Sequence, residues 1–423
     1  MPFMSVSDYR HNFWILTTDG LLFFLGMIFI SFESVLPVFL ARLGAPRVAI
    51  AVVPVAIALG INLPSLFAAP RVERLDRKLP FILRTAVWQR VPWAIVALAT
   101  PLLATSHAGW LVTVVLLATI VATIAGGLVI PAFFDIVAAT VPVERRGTLF
   151  ALRSVLSYLF GIGGGLVVRL ILERVAFPAN YSLLYGIATG VLMLGLLVMS
   201  FVREPRRRHP VPQIATGARA SVERIRRVLG GNRNFRVYIV ARGLLVLAFA
   251  TTSFFPVYLV EEFGLPDSVS GLFAVITAAT FVVVNPIFGR LGNRVGYKPV
   301  FVVSYVSLGL AAAVGLFAVT APWAYVLIAF TATSQSVNLL AWNMTVEFAP
   351  EGQVPSYIGV SGFFIGLVAP LGIFTGVIVD VFGFAGLFVM TAITAACGLL
   401  VMLLGVEEPR VALRRVNQPD VPI

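Results

Sequence analysis

Between Phe13 and Leu404 the chain is a succession of apolar runs, each long enough to cross a bilayer and each ended by a polar loop. A hydrocarbon core of about 30 Å takes about 20 apolar residues as a helix. Within hydrocarbon every backbone polar group must find its partner inside the protein, and runs of this length do so as helices. Only 12% of the 423 residues are charged and 59% are hydrophobic, with a mean hydropathy of +0.97. A water-soluble domain carries about 25% charged residues. Twelve spans need roughly 240 residues, which this length supplies. The expectation is an all-α membrane protein with twelve transmembrane helices.

Spans 1–6 are expected near residues 13–40, 48–69, 79–103, 110–140, 148–172 and 179–202. Spans 7–12 are expected near 235–259, 269–288, 299–319, 323–348, 357–379 and 384–404. Most of the 31 Lys and Arg residues fall in the termini and in loops leading from an even span to an odd one. Lys and Arg accumulate on the cytoplasmic side, so both termini are expected there, in a cell membrane taken as a bacterial inner membrane. The sequence pI near 10.5 has the same cause, and no nucleic-acid partner is expected. The first apolar run is too long for a cleaved signal and continues into the protein. The single Cys397 lies in an apolar run, forms no disulfide within the chain, and is expected as a small buried hydrophobe.

Residues 203–234 form the one long polar segment. Val222, Ile225, Val228 and Leu229 fall there at helical spacing among Arg219, Arg224, Arg226 and Arg227. Such a pattern is expected as an amphipathic helix on an anionic membrane surface. The division is therefore a first six-span bundle at 1–202, a basic linker at 203–234, a second bundle at 235–406 and a tail at 407–423.

The segment from Gly289 to Lys298 alternates small and basic residues between two apolar spans. It resembles the loop signature of the major facilitator superfamily of secondary transporters, in which Gly, Leu, Asp, Arg, Gly and a final basic residue recur. Gly289, Leu291, Arg294, Gly296 and Lys298 match, and Asn293 replaces the usual Asp. The chain also repeats itself. Pro37-Val38-Phe39-Leu40 returns as Pro256-Val257-Tyr258-Leu259, and Arg74, Lys78 and Phe81 keep register with Arg294, Lys298 and Phe301. Weak repetition of a six-helix unit is what a two-halved transporter shows. The first-half loop departs from the signature: Pro70, Arg71 and Asp76 stand where the second half has Arg290, Leu291 and Gly296, and its acid is Glu73. The resemblance implies two pseudo-symmetric six-helix bundles, alternating access, and spans 1, 4, 7 and 10 lining the substrate path.

No catalytic constellation, metal cluster or cofactor site is visible. His11, His107 and His209 lie in loops or termini. Gly161-Ile162-Gly163-Gly164-Gly165 lacks the strand and the Lys-Ser/Thr of a phosphate loop and reads as close helix packing. Charges inside spans are informative, because each costs roughly 2.5 to 3.5 kcal/mol on insertion scales. Asp19, Arg84, Asp135 and Arg153, with Glu73, Arg74, Gly289, Asn293, Arg294, Gly296 and Lys298, are expected to form a conformational latch. Glu33 and Asp19 are the candidate proton-coupling carboxylates, and Glu33 could pair with Arg90. Thr331, Ser334, Gln335, Asn338, Trp342 and Thr345 recur at three- and four-residue steps in span 10. The resemblance makes Thr331, Gln335, Asn338 and Trp342 substrate-facing, together with Thr123, Phe134, Thr252 and Phe255. The resulting expectation is a monomeric secondary transporter of a small organic solute, with protons as coupling ion. Efflux of an amphipathic compound is preferred, and uptake of a sugar, acid or other metabolite is the alternative. A non-transporting sensor would need an extramembrane domain, and a membrane enzyme would need clustered catalytic groups.

Overall fold

The structure is a computed structural model that describes residues 6–73, 75–205, 218–317, 320, 322–350 and 353–410. All regular structure among the described residues is helical. Among the described residues eleven helices are long and apolar enough to cross a membrane. The last, Ser356–Gly405, has 50 residues, which at 1.5 Å per residue is about 75 Å and enough for two crossings. Gly383 divides it, with φ 65° and ψ −170°, a conformation only glycine adopts freely. The eleven helices thus make twelve crossings.

The repeated Pro-Val-aromatic-Leu segment has a structural consequence. A proline inside a helix clashes with the carbonyl four residues before it and cannot donate. Span 1 breaks before Pro37: helix Val6–Ile30 ends, Ser31 takes φ 31°, and helix Val35–Arg42 begins. Span 7 breaks before Pro256: Arg233–Thr251 is followed by the 3-10 turn Thr252–Phe254 and then Phe255–Glu262. Span 10 is also discontinuous, as Trp323–Gln335 and Asn338–Glu347. The Ser336 N–H and hydroxyl both bond to the Ala332 carbonyl, each at 3.1 Å.

The chain forms two compact units, Met1–Ile214 with Ser253–Ala279, and Ala215–Thr252 with Thr280–Ile423. In the first unit, Phe13, Leu16, Ile82, Ile136, Leu149 and Met199 make a buried cluster. Of the span 5 glycines, Gly161, Gly164 and Gly165 pack closely, a Cβ on Gly165 standing 2.9 Å from both the Gly271 carbonyl oxygen and the Val275 amide nitrogen, whereas a Cβ on Gly163 would meet nothing within 4 Å. Arg47 pairs with both carboxylate oxygens of Glu261, and Asp267 accepts from the Tyr181 hydroxyl at 3.1 Å beside Arg42 at 3.9 Å.

In the second unit, Phe235, Tyr238, Phe301, Tyr305, Met344 and Tyr357 form the corresponding cluster. The linker helix is present as Ala218–Gly231. Its apolar stripe is not free for a membrane surface: Val228 is buried in this cluster, and Ile225 and Leu229 pack against it. Protein apolar surface was within reach of the stripe, and burial there removes it from water equally well. The side chains of Val222, Arg219 and Arg224 lie outside the described residues. Cys397 is exposed rather than buried; its helix is apolar on all sides, so the pattern does not mark an inward face.

Both units close their helix ends in the same way. His11-Asn12-Phe13 opens span 1 and Val202-Arg203-Glu204-Pro205-Arg206 follows span 6; Arg233-Asn234-Phe235 opens span 7 and Val406-Glu407-Glu408-Pro409-Arg410 follows span 12. The Asn12 amide donates to the Arg203 carbonyl at 3.0 Å and accepts from the Arg203 N–H at 2.8 Å. Asn234 makes the same two bonds to Glu407, both at 2.8 Å. Glu204 accepts the N–H groups of Lys78 and Leu79 at 2.6 and 2.9 Å, and Glu408 accepts that of Lys298 at 2.9 Å. Free N–H groups and the helix dipole favour a carboxylate at these helix starts.

Candidate functional site

Each unit buries a guanidinium over an aromatic ring, and the two are compensated differently. In the first unit, Arg153 of span 5 lies 4.7 Å from the Phe133 ring centroid of span 4 and 3.9 Å from Asp19 of span 1. Asp19 and Arg153 are 7% and 8% exposed. Gly20 makes room for this pair, since a Cβ there would collide with the Arg153 guanidinium. Arg90 of span 3 is also buried and donates to the Leu192 carbonyl at 2.8 Å, the Ala86 carbonyl at 2.9 Å and the Gln89 side chain at 3.2 Å.

In the second unit, Arg242 of span 7 is 7% exposed and lies 4.8 Å from the Trp342 ring centroid. Its Nη1 donates to the Ser361 hydroxyl at 2.6 Å and the Thr345 hydroxyl at 3.2 Å. The Tyr238 hydroxyl belongs to the same group, donating to the Ala341 carbonyl at 2.9 Å with Thr345 Oγ1 at 3.2 Å. No carboxylate pairs with Arg242 among the described residues. Arg242 lies in an apolar run of the sequence, but the letters do not show that the groups beside it are hydroxyls rather than a carboxylate.

The expected substrate face changes in exposure along its length, on either side of the turn at Ser336 and Val337. Thr331 and Gln335 are buried on one side of the turn, and Asn338 and Trp342 are exposed on the other. The Thr331 and Thr123 hydroxyls bond to carbonyls of their own helices at 2.7 and 2.8 Å. The Gln335 Oε1 is buried and has no hydrogen-bond donor among the described residues. Phe134 is 54% exposed, Phe255 is fully buried, and Thr252 bonds to the Phe249 carbonyl at 2.8 Å.

The expected latch residues fall into separate pairs. Asp135 lies 3.6 Å from Lys78 Nζ, and Asp19 pairs with Arg153, while Arg84 is exposed. Glu73 ends helix Arg47–Glu73, its side chain and Arg74 being outside the described residues. Glu33 is exposed in the break of span 1, and the hydrogen bonds described for Arg90 go to carbonyls and to Gln89.

Most of the segment Gly289–Lys298 is helical, since helix Val269–Arg294 runs through Gly289, Asn293 and Arg294, and Lys298–Phe317 begins at Lys298. Gly296 makes the turn at φ 112°, and a Cβ there would collide with Glu408. Arg410 donates to Glu347 and, at 2.8 Å, to the Asn293 carbonyl, and Lys298 Nζ donates to the Val406 carbonyl at 2.7 Å. Burial pushes the Glu408 carboxyl up from its ordinary value against the pull of the Lys298 N–H, and the Glu347 hydrogen bond holds Arg410 above its ordinary value.

No curated protein matches the chain. Among solved structures it is similar to a D-xylose–proton symporter, at 14% identity and TM-score 0.73 over 95% of this chain and 98% of that one. A point mutant of the nucleoside transporter NupG gives 12% identity and TM-score 0.71 over 93% and 98%. A bacterial homologue of the human lysosomal transporter Spinster gives 13% and 0.63 over 99% and 100%. At these identities the likeness is one of fold. The sequence itself matches the Major Facilitator Superfamily over residues 21–284 and 243–420. With twelve apolar crossings and repeated helix ends, the chain is a member of the Major Facilitator Superfamily, a membrane transporter of a solute.

Proposed function

We propose that the chain is a secondary active transporter of a small organic solute, coupled to protons and working by alternating access. Residues 1–202 and 235–406 are the two moving halves, 203–234 is the linker, 407–423 is the tail, and both termini are cytoplasmic. The chain works as a monomer in a cell membrane, and efflux of an amphipathic compound is the preferred direction. Asp19 carries this reading. It is a buried carboxylate inside a span, and its partner Arg153 stands at 3.9 Å without a hydrogen bond among those described. A carboxylate so held can exchange a proton for a change in its contact with Arg153. Gln335, with a buried unpartnered acceptor, and Trp342 are the best-supported solute contacts of span 10. Lys78 with Asp135, and Glu347 with Arg410, serve as latch pairs.

The test is flux in proteoliposomes with an imposed pH gradient, solutes being chosen by thermal-shift screening. Asp19→Asn should lose gradient-driven accumulation and keep solute exchange; accumulation equal to wild type removes Asp19 from coupling. Asp135→Asn should change rate more than affinity. Uptake of a metabolite is the second reading, supported by neighbours of similar fold named for a nucleoside and for D-xylose. The sign of flux relative to the proton gradient decides between the two.

A further inference from the structure

We infer that Arg242 is a binding site for the oxyanion of an organic acid, so that the transported solute is an amphipathic anion. The inference rests on the transport reading only for the word transported; the site stands on its own geometry.

Arg242 is more than nine-tenths buried inside a membrane span, and the groups bonded to its Nη1 are the neutral hydroxyls of Ser361 and Thr345. A buried charge is tolerated when another charge or several polar groups compensate it, and removing one partner of a buried pair leaves an expensive stranded ion. The first unit meets that need internally, with Asp19 beside Arg153. In the second unit Arg242 has hydroxyls and a ring beside it but no carboxylate among the described residues, so its charge has no counter-charge there. A hydroxyl can donate to an anion as well as accept from a guanidinium. The Ser361 hydroxyl, which accepts from Arg242, keeps its own proton for an oxyanion, whereas the Thr345 and Tyr238 hydroxyls already donate to the Ala341 carbonyl. Trp342, 39% exposed, offers an apolar face beside the charge. An aromatic or aliphatic body carrying one carboxylate, sulfonate or phosphate matches both features. A fork of N–H donors suits such planar or tetrahedral oxyanions better than a point charge does.

The test uses purified full-length protein and a series sharing one ring: benzoate, benzenesulfonate and phenyl phosphate against benzamide and benzylamine. Thermal unfolding is followed across each titration. The anions should raise the midpoint saturably, and benzamide and benzylamine should not. Arg242→Gln should weaken benzoate binding roughly tenfold or more, the scale of a lost charged hydrogen bond, and Arg242→Lys should keep part of it. Ser361→Asp places a carboxylate against Arg242 and should abolish anion binding while the unfolding midpoint holds or rises. That variant keeps the test decisive if Arg242→Gln fails to fold. The site is overturned if benzamide matches benzoate, if Ser361→Asp binds as wild type, or if none of the three anions shifts the midpoint. It is also overturned if phosphatidylglycerol vesicles stabilise the protein over phosphatidylcholine while the soluble anions do nothing, since the occupant is then a lipid headgroup. Flux is measured on the same preparation. Protein that moves a solute but binds no anion sinks the site and spares transport; protein that binds the anions but moves no solute does the reverse.

Discussion

The two halves agree at their ends and disagree inside. Asn12 and Asn234 make the same pair of backbone bonds, and Glu204 and Glu408 sit at equivalent helix starts. Inside, Arg153 and Ser361 each lie eleven residues beyond a proline, Pro142 and Pro350. One is a guanidinium answered by Asp19; the other is a hydroxyl answering Arg242. Bonds that secure helix ends act on the backbone and tolerate little variation. A buried charge has no such scaffolding duty, so its sign and partner can change between copies. What is specific to this transporter is therefore to be sought where the halves differ.

The comparison can be broken most forcefully at Asp19. Asp19→Asn strands Arg153 and should cost about 3–5 kcal/mol, as for one partner of a buried pair. Adding Arg153→Gln should restore part of the loss; a single variant with the unfolding midpoint of wild type would show that the two groups are not coupled. Gly165→Ala comes next, at about 1–3 kcal/mol for overpacking against backbone. An unchanged midpoint there would remove the close approach of span 5 to Gly271.

The likeness of the ends is sharpened by Asn12→Ala and Asn234→Ala. Each loses two backbone bonds, about 1–2 kcal/mol, with the half-buried Asn234 toward the lower figure. A loss in one variant and none in the other would end the claim of equivalence. The smallest effect is expected for Glu408→Gln. Burial raises the Glu408 carboxyl, so its charged form is disfavoured in the folded protein. Stability from that group is present at low pH and falls as pH rises through the raised value. The Gln variant, still able to accept the Lys298 N–H, should therefore unfold slightly above wild type at neutral pH. The gap should close as pH falls toward the ordinary carboxylate range, about 4.3.

Much of this was legible in the residues. Run length gave the spans, and the repeated Pro37 and Pro256 segments carried the breaks of spans 1 and 7, which run length alone makes continuous. The Asn-Phe and Val-x-Glu-Pro-Arg repeats were also present in the letters, but their role appears only when both ends of a half are seen together. Arg84 and Cys397 were less legible. A helix bounded by lipid on one side and apolar protein on the other has no polar face to set its rotation. Arg84 and Arg90 lie in one apolar span, yet one is exposed and the other buried. That no carboxylate pairs with Arg242 among the described residues is harder still to read, because it is a fact of three dimensions.

The two asparagine staples make each half begin and finish at one place, so each is a closed circuit of six spans. Neither circuit uses the covalent link from Arg203 to Asn234. A chain severed there should keep both staples, and the halves could be supplied as separate polypeptides without opening either ring.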